Sequence, residues 1–174
     1  MPILIAPDRR LKQSSLPVAT VDGGVRRLMD DMLETMREAP GIGLSAIQIN
    51  VPKRIIVVEA ADSDDQHDHS RRPLFLVNPE ITWTSDEMVI LEEGCLSLPD
   101  QYADIERPAE VTVTFLDRDG APQERKSSGV LARCIQHEMD HLDGVLLVDR
   151  LSPVRRGMIL RKLSKARKQQ SARA

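Results

Sequence analysis

Two hydrophobic rhythms run along this chain of 174 residues. In the helical one, Val25, Leu28, Met29, Met32, Leu33 and Met36 follow an i, i+3, i+4, i+7 spacing, with Asp22 as N-cap and Pro40-Gly41 as the stop. A second helix is predicted from about Ser128 to Leu142, closed by Gly144 just past its end. On its wheel Val130, Leu131, Cys134, Ile135, His137, Glu138, His141 and Leu142 share an arc of roughly 160° that faces inward. The outer arc holds Ala132, Arg133, Gln136, Met139, Asp140 and Asp143. Ser152-Pro153 reads as an N-cap followed by proline at N1, opening a last helix whose Val154, Met158, Ile159 and Leu163 pack on the body.

The other rhythm has a period of two or is a short apolar run. Residues 54–59 read as a buried strand, and residues 74–77, 81–84 and 88–91 as short strands separated by turns at Asn78-Pro79 and Ser85-Asp86. Residues 111–116 alternate and turn at Asp117-Arg118-Asp119-Gly120 into a polar return strand near residues 122–126. Residues 60–72, with His67 and His69 among aspartates, read as a solvated loop. Strands in the middle with few helices around them predict an α+β fold. It is a single domain over residues 1–174, with short, mostly antiparallel strands around a central helix and a helix near each end.

Composition changes this picture in three places. Aromatics are only 2% of the chain, so Ile, Leu, Val and Met must form the core. The net charge of −3 calls for no polyanionic partner such as DNA, but it is unevenly spread. Residues 151–174 carry eight Lys or Arg and no acid, which leaves the first 150 residues at −11. No apolar run approaches the roughly 18 residues of a membrane span, and no signal-peptide pattern is visible. The expectation is a soluble protein that stays in the cytoplasm and touches no membrane. Two cysteines, Cys95 and Cys134, are too few for a disulfide framework and suit a reducing compartment.

The candidate chemistry lies in Gln136-His137-Glu138-Met139-Asp140-His141. His137 and His141 sit one turn apart with Glu138 beside them, a frame for a divalent metal and its base. Two core histidines held by hydrogen bonds are the alternative. The inward arc favours the metal, because it would bury two imidazoles and a carboxylate that need compensation. A catalytic metal usually has three protein ligands and an open position. Only 33 residues follow His141, with no Glu or His among them, so the third ligand is expected upstream. Cys134 shares the helix but lies about 10.5 Å of rise from His141. Cys95, in Glu93-Gly94-Cys95-Leu96-Ser97-Leu98-Pro99, comes from another element behind a turn glycine and is the better candidate. Glu138 would then serve as general base and acid on a water made acidic by the metal.

Three segments together resemble the signature motifs of the peptide deformylases, in that family's order: Gly41-Ile42-Gly43-Leu44-Ser45-Ala46-Ile47-Gln48, Glu93-Gly94-Cys95-Leu96-Ser97 and Gln136–His141. The likeness runs over nearly the whole chain. Ser45 stands where the family usually has Ala, and Asn50 where Gly is common. The resemblance implies removal of the N-formyl group from the initiator methionine of nascent polypeptides, with release of formate. It implies the Gln48 amide and the Leu96 backbone N–H as oxyanion donors. It also implies that Ile42, Gly43 and Gly94 bind the substrate backbone as an added strand. Ile42 and Leu91 enter the methionine pocket by resemblance alone, whereas Val130 and Cys134 also lie on the inward arc. Asp140 is implied to pair with Arg107.

The family favours ferrous iron in the cell, with zinc or nickel in a purified sample. The origin it implies is bacterial cytoplasm or an organelle. Because the substrate leaves the ribosome, the basic terminal helix is a candidate for docking on ribosomal RNA, with a solvated helix face as the plain explanation. Two rivals remain. One is a zincin-like metallopeptidase, separated by its third ligand. The other is a noncatalytic metal-stabilised module whose basic tail binds RNA.

Overall fold

A computed structural model of the chain describes residues 1–61 and 72–171. The histidines at 67 and 69 lie outside the described residues. Helix α1 (Gly23–Glu38) starts where expected, with the Asp22 carboxylate accepting the Val25 N–H at 2.8 Å. Its Met29, Met32 and Met36 are fully buried. Burial of each such side chain is worth about 1.5–3 kcal/mol.

Five strands make the main sheet: β1 (Gly43–Ser45), β2 (Ile55–Val58), β3 (Leu74–Thr84), β6 (Glu110–Leu116) and β7 (Pro122–Ser128). They run in the order β1-β2-β3-β6-β7, and every pairing is antiparallel. All four side chains of β2 are buried because the two faces of the strand meet different helices. Ile55 and Val57 pack with the α1 methionines, while Ile56 and Val58 pack with Leu131 and Ile135 of α2 (Gly129–Leu142). A separate two-stranded sheet pairs β4 (Met88–Cys95) with β5 (Leu98–Pro108). Among the described residues, β1 and β4 each have one strand neighbour, so each keeps an unpaired edge.

Several expectations need correction. Residues 74–77 and 81–84 are not two strands but one, and Asn78-Pro79 is a bulge within it. Asn78 takes a left-handed conformation (φ 50), which asparagine tolerates better than most residues. Its side chain replaces the lost ladder bonds by pairing with both backbone groups of Val18, at 2.7 and 2.8 Å. Strand β5 is absent from the hydropathy pattern because its inward positions include Gln101 and Arg107 as well as Ala103 and Ile105. Helix α3 (Pro153–Ser171) buries Ile159 and Leu163 against β5 and residues 146–148, but Val154 and Met158 are exposed, contrary to the expected packing. Helix α2 is buried nearly all round: Ala132 and Gln136, assigned to its outer arc, are inside, and Val130, assigned to its inner arc, is about half exposed. Gly144 follows α2 with φ 73, and a Cβ there would lie 2.6 Å from the Lys12 carbonyl oxygen.

Candidate metal centre

Cys95 closes β4 at a bulge, where Gly94 pairs with Tyr102 but Cys95 pairs with Leu98. That tight reversal carries the thiol out of the β4–β5 sheet and onto the face of α2. There its Sγ lies 3.2 Å from His141 Nε2. One donor atom each from Cys95, His137 and His141 lies within 4.8 Å of the other two. A single ion with bonds of about 2.0–2.3 Å to nitrogen and sulfur can gather such a set. Burial works against protonation of His137, but the neighbouring Cys95 sulfur and Glu93 outweigh it and raise that imidazole well above its ordinary pKa, so an ion bound there would displace a proton. Glu93 engages His137 Nδ1 at 3.0 Å, which leaves Nε2 of that ring for the cluster. Burial drives the His141 imidazole well below its ordinary pKa, which keeps it neutral with a lone pair to give. Cys134 is not part of the set. Its thiol, pushed well up by burial, contacts the Ile42 carbonyl oxygen at 3.5 Å.

Glu138 stands beside the cluster with 4% exposure. Its Oε2 has no hydrogen-bond partner among the described residues, so a buried acceptor is left open next to the three donors. Burial pushes its carboxyl up to about 7, with His137 and the Ser45 hydroxyl pulling the other way. Gly43 makes this approach possible: a Cβ on it would fall 2.6 Å from both the Cys134 sulfur and Glu138 Oε1. Gln48 is buried in the short turn after β1. Its Oε1 accepts from the Ser45 N–H at 2.8 Å and the Ser45 hydroxyl at 3.0 Å, which aims Nε2 at Ser97 Oγ (3.1 Å) and the Cys95 sulfur (3.9 Å).

A groove of about 1000 Å³ runs over Cys95, His137 and Glu138, with Gln48 and His141 outside its lining. Ile42, Gly43, Leu91, Gly94, Leu96, Val130 and Cys134 all line it, together with Cys95, His137 and Glu138. Ile42, Leu91 and Val130 are between 43% and 48% exposed and form its open lips.

Two functional groups escaped the hydropathy pattern. Glu93 is 6% exposed and holds Arg107 at 2.6 and 3.0 Å and Arg133 at 2.7 Å in addition to His137. Burial works against its ionisation, but the hydrogen bonds from His137 and Arg107 outweigh that and hold the carboxyl at about 2. Arg107 passes on to Asp140 at 2.9 Å, and Asp140 accepts twice more from Arg150 at 2.6 Å. The signal for Glu93 is its place two residues before Cys95 in the segment Glu93-Gly94-Cys95-Leu96-Ser97. For Arg107 the pattern of hydropathy has none, but the family resemblance implies its pairing with Asp140, and the structure shows that pair at 2.9 Å.

Comparison with known proteins gives one answer. A family model for polypeptide deformylase matches residues 1–157. The chain is 49% identical to the peptide deformylase of Rhizobium meliloti, over 99% of its own length and 97% of the relative's. With that of Methylocella silvestris it shares 52% over 96% and 85%. Among solved structures, peptide deformylase from Ehrlichia chaffeensis superposes with a TM-score of 0.92 at 38% identity, covering 98% of each chain. The same organism's protein in complex with actinonin gives 0.90 at 40% identity, over 95% of this chain and 96% of that one.

Proposed function

The chain belongs to the peptide deformylase family, and on that premise we propose how its residues remove the N-formyl group from the start of newly made polypeptides. The observation that carries the assignment is the convergence of Cys95, His137 and His141 beside the open carboxylate oxygen of Glu138.

Cys95, His137 and His141 would hold a divalent ion. Bound there, it supplies Lewis acidity that polarises the formyl carbonyl and makes a water acidic near neutral pH. Glu138 takes the proton from the attacking water and returns it to the departing amine nitrogen. The Gln48 Nε2 amide, already oriented by Ser45, and the Leu96 backbone N–H donate to the oxygen that becomes negative, each worth about 3–4 kcal/mol in such sites. The unpaired edges of β1 and β4, at Ile42-Gly43 and Gly94, receive the peptide backbone as a strand. The first side chain enters between Ile42, Leu91, Val130 and Cys134.

The family resemblance supports ferrous iron as the ion in the cell, and the same ligands accept zinc or nickel. A zincin-like peptidase is disfavoured because its third ligand would not be a cysteine. Among the described residues no helix is long and apolar enough to cross a membrane, and we place the enzyme in the cytoplasm where nascent chains emerge. The exposed Arg161, Lys162, Lys165 and Lys168 support docking of α3 on ribosomal RNA. Ile159 and Leu163 belong to the core, so deleting α3 would confound the test. Replacing these four cations with Gln should weaken cosedimentation with ribosomes, and unchanged cosedimentation would reject docking.

The decisive experiment is formate release from a formyl-Met peptide with metal analysis on the same sample. Glu138→Ala should keep the metal and lose at least about a hundredfold in turnover. Near-normal turnover in that variant would remove Glu138 from the mechanism.

A further inference from the structure

Arg133 belongs on the outer face of α2 by the wheel, yet its side chain is only 11% exposed and lines the groove. Val130, Arg133, Cys134 and His137 sit at i, i+3, i+4 and i+7, one continuous stripe along the helix. Arg133 precedes His137 by four residues, about 6 Å of rise. That matches the reach of a four-atom side chain whose formamide lies at the metal ligands. The groove offers that side chain the apolar Ile42, Leu91 and Val130 and the Cys134 thiol, while Asp100 and Gln101 also line it.

The guanidinium is fixed by three bonds. Nη1 donates to Glu93 (2.7 Å) and the Ile105 carbonyl (3.0 Å), and Nη2 donates to the Val89 carbonyl (2.7 Å). A guanidinium has five N–H groups, so Nε–H and one Nη2–H are left without a protein acceptor among the described residues. Arg107 has Asp140 as a second carboxylate, so Glu93 is available to balance Arg133. The side chain therefore offers fixed donors without demanding an anion.

We propose that Arg133 reads the tip of the first side chain, so that the groove takes formylated residues ending in a hydrogen-bond acceptor, methionine and above all methionine sulfoxide, over hydrocarbon of equal length. A thioether is a weak acceptor, a sulfoxide oxygen a strong one, and a methylene none. The inference rests on the deformylase assignment and extends it to oxidised amino termini.

The test compares kcat/KM for three peptides that differ only in the first residue: formyl-Met, formyl-norleucine and formyl-methionine sulfoxide. Wild type and Arg133→Met are loaded with the same metal. Methionine keeps the length of the stem and removes the donors. The sulfoxide-to-norleucine ratio should fall about tenfold in the variant, the worth of one charged hydrogen bond. A change of less than about threefold overturns the proposal. The ratio is taken within one protein, so a general loss of activity through Glu93 cancels. Arg133→Lys, which keeps a charged donor, should recover part of the ratio, and a lysine variant no better than the methionine one also overturns it. If Arg133→Met does not fold, wild type decides. Turnover of the sulfoxide faster than norleucine supports the proposal, and an equal or slower turnover defeats it, because a buried sulfoxide dipole without a donor costs rate relative to the methylene. No turnover of formyl-Met would instead refute the deformylase assignment.

Discussion

Replacing Glu93 with Gln should unsettle the metal centre more than its distance from the chemistry suggests. The two side chains have the same shape, so the change is one of charge and hydrogen-bonding type. In the native protein one carboxylate with 6% exposure accepts from Arg107, Arg133 and His137 together. Arg107 is buried too, its side chain 3% exposed, and keeps only Asp140 when Glu93 is neutralised. Leaving a buried cation short of its partner costs about 3–5 kcal/mol, and the retained shape and the Asp140 contact place the expected loss near the lower end, about 3 kcal/mol. For a chain of this length that corresponds to a fall in Tm of roughly 6–12 °C. The His137 ring loses its orienting acceptor at the same time, so metal affinity should drop about 10–100-fold. Thermal melts of the metal-free proteins separate the first effect, and metal retention against a chelator series measures the second. A variant that melts within about 2 °C of wild type and holds its ion equally well would show that Glu93 neither anchors the arginines nor aligns the histidine.

Gly43→Ala should abolish most turnover while the metal stays bound, because the new methyl group would occupy the space of Glu138 Oε1 and the Cys134 sulfur; metal analysis beside formate release checks both halves. Ser45→Ala should cost at most about 1 kcal/mol in transition-state stabilisation, because the Ser45 backbone N–H at 2.8 Å still orients Gln48; a hundredfold loss of kcat/KM would give the hydroxyl a direct role. Asp149 is buried in part, which raises its pKa, but Lys12, the Leu146 N–H and Arg156 outweigh that and hold it below its ordinary value. Its contribution is therefore present above about pH 4 and lost as pH falls through the lowered value. The gap in urea midpoint between wild type and Asp149→Asn should shrink on acidification below that pH, and a constant gap would contradict the linkage.

The elements that sequence reveals here are those whose buried side is apolar. Helix α1 is legible from its methionines and α2 from its leucines and the spacing of His137 and His141. Strand β5 is not, because a strand that turns Gln101 and Arg107 inward looks polar until Glu93 and Asp140 are known to meet the arginine. Arg133 falls outside the inward arc because that arc is drawn around the apolar and candidate site residues beside it, whereas its carboxylate partner and two carbonyl acceptors lie on β4 and β5. The bulge at Asn78 hid as a turn because Asn-Pro signals one locally, and only the Val18 backbone 60 residues away reveals the strand running on. Cys95 becomes a candidate by counting ligands, since chemistry that needs a third donor constrains a sequence even where its periodicity says nothing, and the structure brings its thiol beside His137 and His141.

The bare edges of β1 and β4 carry a consequence for which proteins this enzyme can serve. Amides and carbonyls are the same in every residue but proline, so a clasp made from those two edges would be blind to whatever follows the amino terminus. One catalyst would then suffice for an entire proteome, with discrimination concentrated on the single residue that all its clients have in common.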